Sequence, residues 1–366
     1  MEGDTLKTDS VVYEGEDASG KNHLIRRKDG TRVAVHDSTL VSQLQPSFEN
    51  MPGSPLDYRN EVGVGVSQKE AQALARPQQL TPIQQELLGW HHRLYHLDFK
   101  HLFRLAKIGV LPKSLLQCEK APPKCLECLF GNARRRPWRH KGGGGSIKKK
   151  TEVLPGDGVS ADQIVSAQPG LVPQMSGKLT SERIWGATTF VDHVSDYVYV
   201  HIMKSFTTED TLTAKKAFEK IFTIAGRKVK SYRCDNGRFA DKAWLDDCNL
   251  HQQAITFCGV GHHSQNGKIE AKNKYLTLTA RTLLLHGMRM WPEMISTYLW
   301  PFAMKAAADR HNVLHLDEDG LTPEAKLHGV SMENVPVKTF HTLFCPVFVL
   351  DSRAHSAGGK VPKWEP

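Results

Sequence analysis

Two sets of residues in this sequence have the types and spacing to do chemistry. The first is nitrogen and sulfur: His91 and His96, then Cys125 and Cys128, giving H-x4-H, a gap of 28 residues, and C-x2-C. Zn2+ prefers four such ligands in a tetrahedron, and two His with two Cys leave no open position, so the site is structural. Its binding energy can fold a module of about 50 residues that has only a small core. His92 competes with His91 for the first position, because His92 and His96 stand at i and i+4 and share a helical face. Cys118 and His101 read as bystanders. The second set is oxygen: Asp162 in Val159-Ser-Ala-Asp-Gln, Asp235 in Tyr232-Arg-Cys-Asp-Asn-Gly-Arg-Phe, and Glu270 in Gln265-Asn-Gly-Lys-Ile-Glu. If they converge, they make an oxygen site for two Mg2+ (or Mn2+) ions, suited to in-line phosphoryl displacement. Taken singly, an Asp at a strand end is a turn former, and a Glu in a first helical turn favours the dipole.

A strand centre, a strand end and a helix start can meet only through a sheet. The text past residue 150 supplies one. Gly158–Val165, Ile184–Val194 and Tyr197–Met203 read as strands, the last two joined hairpin-style at Ser195-Asp196, with Asp192 and Asp196 as turn acids. Phe206-Thr207-Thr208-Glu209-Asp210 has the order of a staple, an N-cap and first-turn acids. The helix it opens places Ala214, Ala217, Phe218, Ile221, Phe222 and Ala225 on one face and stops at Gly226. Lys228–Cys234 and Gln253–Phe257 read as two more strands with a short helix near Lys242–Asn249 between them. Helices near Asn266–His286 and Trp291–Asn312 follow. The pattern predicts an α/β fold, a mixed five-stranded sheet flanked by helices. Ahead of it, Leu87, Leu88, Trp90, Leu94, Leu97, Leu102 and Leu105 recur at helical intervals up to Gly109. Residues 1 to about 80 offer short strands near Val11–Tyr13, His23–Arg27 and Thr31–His36, then polar linker text.

Composition bounds the partners. In 366 residues, hydrophobic types make up 40% and charged types 24%, ordinary for a globular chain. No run reaches the length of a membrane span, and the acidic, polar start has no apolar signal core, so the expectation is no membrane and no secretion. Seven cysteines without a signal peptide suggest metal chemistry rather than disulfides. The net charge of +9 is concentrated: Arg134 to Lys150 holds eight Lys/Arg and no carboxylate. Such a run is either a solvated linker or a phosphate contact. Gly142 to Gly145 inside it reads as a hinge.

The ordered set of motifs resembles the integrase region of copia-type LTR retrotransposon polyproteins. It is carried by Trp90-His-His-Arg-Leu-Tyr-His with Cys-Leu-Glu-Cys, Thr189-Phe-Val-Asp-His-Val-Ser, Cys234-Asp-Asn-Gly-Arg-Phe, Gly259-Val-Gly-His-His-Ser-Gln-Asn-Gly and Leu299-Trp-Pro-Phe-Ala. It runs from about residue 85 to the end. The resemblance implies a ribonuclease-H-like core preceded by a small helical two-His two-Cys zinc module. Implied boundaries are an uncertain strand-rich segment and linker at 1–80, the zinc module at 81–140, and a basic Gly-rich linker at 141–150. The catalytic core follows at 151–330, and a cut-off small-barrel domain begins at 331–366, opening with Phe344-Cys-Pro-Val-Phe-Val-Leu.

By the same resemblance, His91 rather than His92 is the first zinc ligand, with His96, Cys125 and Cys128. The catalytic D-D-E set is Asp162, Asp235 and Glu270, with Asp162 on both Mg2+ ions, Asp235 on one and Glu270 on the other. The implied activity is 3′-end processing of element DNA and its strand transfer into target DNA. The alternative is an inactive remnant that only binds zinc and DNA. Asn236, Gly237, Gln265, Asn266 and Gly267 would shape the loop over the site, and His262 and His263 would be loop residues. Double-stranded DNA would be held by Arg134, Arg135, Arg136, Lys148, Lys149, Lys150, Asn266, Lys268, Lys272 and Lys274. A homo-multimer is expected, working in the nucleus after a cytoplasmic particle stage. The run Pro169–Arg183 has no assigned chemistry, and the text around Glu270 is less arginine-rich than the family's.

Overall fold

The structure, a computed structural model, describes residues 11–16, 23–27, 32–35, 80–133, 152–174, 180–258, 266–330 and 337–347. The chain divides into two compact units, one of residues 1–76 with 133–144, the other of 77–132 with 145–366. In the first, β1 (Val11–Glu16), β2 (His23–Arg27) and β3 (Arg32–Val35) form an antiparallel three-stranded sheet.

The second unit holds the five-stranded sheet. Its strands are β4 (Val159–Gly170), β5 (Ile184–Asp192), β6 (Val198–Met203), β7 (Ser231–Cys234) and β8 (Ala254–Phe257), in the order β6-β5-β4-β7-β8. The β4–β5 and β5–β6 pairs are antiparallel, while β4–β7 and β7–β8 are parallel. Each parallel step needs a crossover. The first is α4 (Thr208–Ile224), whose cap Thr207 accepts from the Asp210 amide; the second is α5 (Lys242–Leu250). The period-2 alternation of β5 explains the two layers. Phe190 points into a core with Phe218 and Phe222 of α4 and Trp244 of α5. Ala187 and Val191 point the other way, against α6 (Gly267–Met290) and α7 (Trp300–Leu314).

Two predicted helices differ from the observed ones. The apolar run from Leu87 to Leu105 is two helices, α1 (Pro82–Arg93) and α2 (Phe99–Lys107). Tyr95 and His96 both sit at φ 57 and reverse the chain between them. A left-handed pair of non-glycine residues is costly and persists only where surroundings impose it. The helix expected from Trp291 begins instead at Trp300. Trp291, followed by Pro292, is pushed out of the helical region, and Pro301 fits a first turn because that turn has no use for its amide hydrogen. A short helix α3 (Leu126–Gly131) follows the 3-10 turn Lys113–Cys118, and α8 (Pro323–His328) closes the described core. Phe344–Val347 is not strand, and residues 348–350 of that predicted strand lie outside the described residues.

The helices ahead of the sheet do not have a separate core. Leu87, Leu94, Leu102 and Leu105 pack in one buried cluster with Leu314, Leu316, Val337 and Phe340 from the C-terminal side. Arginines reinforce the joint: Arg93 donates to the carbonyls of Phe340 and Lys338, and Arg104 to that of Leu316. Among the described residues no helix is long and apolar enough to cross a membrane.

Candidate metal centres

The turn at Tyr95-His96 swings His96 back against α1. The His91 Nε2 and His96 Nδ1 atoms come within 3.1 Å; Cys128 Sγ lies 3.2 Å from the first and 3.5 Å from the second, and Cys125 Sγ 3.3 Å from the second. Ligands on one tetrahedral Zn2+ stand about 3.3 Å apart for two nitrogens and about 3.6 Å for nitrogen and sulfur, from the usual bond lengths. These four separations are close to those of a zinc site, and His91, His92, His96 and Cys125 also bring ligand atoms within 4.8 Å of one another, so both histidines of the pair stand within reach. His91 Nδ1 lies 2.8 Å from the Leu97 carbonyl; donating there leaves its Nε2 lone pair facing the sulfurs. His92 is set back, its Nε2 3.9 Å from Cys125 Sγ. Burial, helped by three neighbouring histidines, holds the His92 pKa down to about 3. The Cys128 sulfur and burial push the Cys125 thiol up, while bonds from Cys125, His91 and His96 pull Cys128 down.

The cluster is backed by residues that sequence reasoning missed. His286 of α6 has Nδ1 2.6 Å from His96 Nε2. Glu127, inside the cysteine knuckle, accepts from Cys125 Sγ at 3.0 Å and pairs with Arg289 of α6. Gly131 touches α6 so closely that a Cβ there would come 2.0 Å from Thr282 Oγ1 and 2.8 Å from Thr282 Cα. Gly131→Ala should therefore push α3 off α6, costing about 1–3 kcal/mol. A thermal melt checks this, and a melting temperature equal to wild type would contradict the contact.

The carboxylates come from three elements. Asp162 stands on β4, the central strand. The parallel register Val159↔Tyr232 and Ser160↔Arg233, carried two residues on, faces it with Asp235 just past the end of β7. Glu270 lies in the first turn of α6. Asp162 is half-buried, its Oδ1 accepting from the Gln163 amide and its Oδ2 from Asn273 Nδ2, both at 2.8 Å. Burial raises its pKa, and the negative charges of Asp235 and Glu270 add to the rise. Asp235 and Glu270 are exposed. Among the described residues these three acids do not draw together as tightly as the His/Cys cluster, whose ligand atoms lie within 4.8 Å of one another; drawn closer, such like-charged oxygen donors would suit a hard cation such as Mg2+. Asn273 is one turn past Glu270, so the i, i+3 spacing was the signal that could have found it. Thr189 Oγ1 braces it, 2.7 Å from Asn273 Oδ1.

The residues expected at DNA divide. Asn266 is buried, its Nδ2 3.5 Å from the Ala161 carbonyl, so it ties α6 to β4. Lys268 Nζ donates to the carbonyls of Asp192 and His193, and Lys272 Nζ is 2.6 Å from Asp196 Oδ2. Both ammonium groups are thus engaged with the β5–β6 hairpin rather than left for phosphates. Lys274 is exposed. Arg134, Arg135, Arg136, Lys148, Lys149 and Lys150 lie outside the described residues, as do Gln265, His262 and His263. Asp192 accepts from Gly156, Val194 and Ser195 amides as a buried turn acid.

Asp196 is the other hairpin acid, at φ 62, with His311 Nε2 3.1 Å from it as well. Burial opposes its ionisation, but the bonds from His311 and Lys272 outweigh that and hold the carboxyl well below the usual range. A depressed carboxyl stabilises above its unfolded pKa of about 3.9, and the gain is lost as pH falls through the folded value. Asp196→Asn tolerates the left-handed backbone and should cost about 1 kcal/mol at neutral pH, a figure kept small by partial exposure. The gap to wild type should close on acidification below that point; a gap independent of pH would contradict the ion-pair account.

Solved structures that align with parts of this chain include integrase catalytic cores and an intasome. The HTLV-2 integrase catalytic core domain in complex with magnesium, in its trimeric form, aligns with 48% of this chain and 99% of its own at 18% identity and TM-score 0.34. The simian T-cell lymphotropic virus intasome in complex with PP2A regulatory subunit B56 gamma covers 64% of this chain and 72% of its own, at 18% identity and TM-score 0.39. The catalytic core domain of BIV integrase covers 48% and 95%, at 15% identity and TM-score 0.33. No protein-family model and no curated protein matches the chain.

Proposed function

We propose that the chain is the zinc-module and catalytic-core part of a copia-type retrotransposon integrase, a metal-dependent polynucleotidyl transferase. It would process the 3′ ends of element DNA and join them to double-stranded target DNA. One observation carries the reading: Asp162 on the central strand stands in register with Asp235 just past the end of the parallel neighbour, and the helix that carries Glu270 in its first turn reaches Asp162 through Asn273. Proteins gather uncompensated carboxylates at cost, and a cation site explains the expense. The motif order around each acid supports the same reading.

Asp162, Asp235 and Glu270 would hold Mg2+ or Mn2+, which when bound supplies activation of an attacking oxygen and stabilisation of a leaving one. The remaining roles belong to the chain. Asn273 fixes the Asp162 carboxylate by donating to Oδ2, so one lobe is oriented before any cation arrives. The Gly237 amide does the same for Asp235, 3.3 Å from Oδ1, where a Cβ on residue 237 would crowd the same oxygen. Lys274 and the basic run Arg134–Lys150 would contact phosphates. His91, His96, Cys125 and Cys128 would hold a structural Zn2+. A homo-multimer acting in the nucleus completes the proposal.

The test is resolution of a short branched DNA, a substrate that a catalytic core alone should cut and rejoin, by the purified chain with Mg2+ or Mn2+. Metal-dependent product supports the enzyme. Folded, zinc-loaded protein that binds the DNA and yields no product points to the inactive zinc- and DNA-binding remnant.

A further inference from the structure

His286 sits on α6, sixteen residues beyond Glu270, or about 24 Å along the same helix at 1.5 Å per residue. At one end this helix offers a carboxylate to the acidic cluster; at the other it meets the His/Cys cluster. The contact there is specific. His96 turns Nδ1 toward the two sulfurs and Nε2 toward His286 Nδ1, at 2.6 Å. That separation is too short for two nitrogens sharing one metal ion, whose tetrahedral edge is about 3.3 Å. It is a hydrogen bond. With the Nδ1 lone pair of His96 committed to the sulfur side, its Nε2 carries the proton and donates, and His286 Nδ1 accepts. Both rings are buried, so water cannot replace the acceptor cheaply.

Neighbouring contacts hold the same joint. Arg289, three residues on from His286, pairs with Glu127 between the two cysteines. Gly131 lies against Thr282, one turn before His286. From α7, Arg310 donates to the carbonyls of Tyr95 and His96, at 2.7 and 2.9 Å, and so clamps the left-handed turn that presents His96. The same guanidinium reaches Tyr275 and Thr279 of α6. These contacts tie the cluster to α6 and to the helix packed on it.

We propose that His286 is a positioning residue for the zinc cluster, and that metal occupancy there fixes the seating of the helix that carries Glu270. The inference rests on the zinc reading above and names a residue outside the four ligands. Outer partners of a ligating histidine set its tautomer and basicity, and losing one weakens metal affinity about 10- to 100-fold. Linkage makes the effect reciprocal: whatever the metal gains from α6, α6 gains from the metal. Zinc then acts on the acid-bearing helix without touching the acids.

The experiment uses the full chain and Zn2+ alone. Zinc affinity is measured by competition with a chromogenic chelator for wild type, His286→Ala, His286→Asn and Cys128→Ser. Amide exchange across residues 267–290 is followed with and without zinc, and circular dichroism checks that each variant is folded. The expected result is an affinity loss of about 10- to 100-fold in His286→Ala, with most of it restored by His286→Asn, whose side-chain oxygen replaces Nδ1 as acceptor. Zinc should slow exchange over α6 in wild type and have no such effect in Cys128→Ser. Wild-type affinity in His286→Ala beside zinc loss in Cys128→Ser overturns the inference and leaves the zinc site standing. Equal losses in His286→Ala and His286→Asn also overturn it, since packing rather than the hydrogen bond would be responsible. Undiminished zinc binding by Cys128→Ser removes the site itself, and the inference with it.

Discussion

Glu270→Gln should remove metal-dependent DNA joining by at least about 10³-fold while leaving the folded chain intact. That order of loss follows when one preorganised group is taken from a highly charged transition state. The side chain is exposed and keeps its volume, so the change costs the fold only the favourable placement of a negative charge at a helix start, about 0.3–1 kcal/mol. Asp162→Asn makes the sharper contrast. Asp162 is half-buried among like charges, and its raised pKa means that its ionised form is disfavoured in the folded chain. Removing that charge relieves the repulsion but gives up one of the two bonds the carboxylate accepts, so the metal-free protein should stay within about 1 kcal/mol of wild type while product formation is lost. Activity lost with stability nearly kept is the behaviour of a functional residue rather than a packing one. Branched-DNA resolution and thermal melts on both variants decide the matter. Metal-dependent product at the wild-type rate in Glu270→Gln would show that the three acids are not the reacting site.

Much of this arrangement was legible because it is local or periodic. The face Ala214, Phe218, Phe222 specifies α4 at 3.6-residue spacing, and its cap Thr207 is written three residues ahead of the Asp210 amide it accepts from. The hairpin at Ser195-Asp196 follows from turn chemistry, and the order strand, strand, strand, helix, strand implies the mixed sheet. What escaped depends on partners far apart in the chain. Lys268 and Lys272 look free beside Glu270 until Asp196, more than seventy residues earlier, is folded against them. The break at Tyr95-His96 has no glycine to announce it; Arg310, over two hundred residues away, is what holds it. His286 carries no spacing relation to the C-x2-C pair. Its role exists only once α3 lies across α6.

A buried lysine on the opposite face of the sheet sets the second large effect. Lys215 of α4 is fully buried, yet it carries an ammonium group 2.9 Å from Glu219 Oε1 and 2.6 Å from Asp247 Oδ2 of α5. The rings of Tyr232 and Trp244 lie 5.4 and 5.8 Å from it, and Tyr232 donates to Glu219. Burial alone would lower its pKa; the bonds to Asp247 and Glu219 outweigh that and raise it. Lys215→Met keeps the apolar stem and leaves two carboxylates without their cation, so it should cost about 3–5 kcal/mol. For a unit of this size that is a fall in melting temperature of about 5–9 °C. Adding Asp247→Asn should recover part of the loss, because the damage lies in the uncompensated charge rather than in the missing lysine. The sign with pH is fixed as well. A lysine raised in the folded state contributes fully below its unfolded pKa of about 10.4 and loses that contribution as pH climbs through the folded value. The gap between wild type and Lys215→Met should therefore hold from neutrality to about pH 10 and narrow above it, in melts at each pH. A gap near zero at neutral pH would mean that the ion pairs merely offset their own desolvation. Since Tyr232 belongs to β7, the strand that ends just before Asp235, the same brace helps set where that acid stands at the end of the sheet.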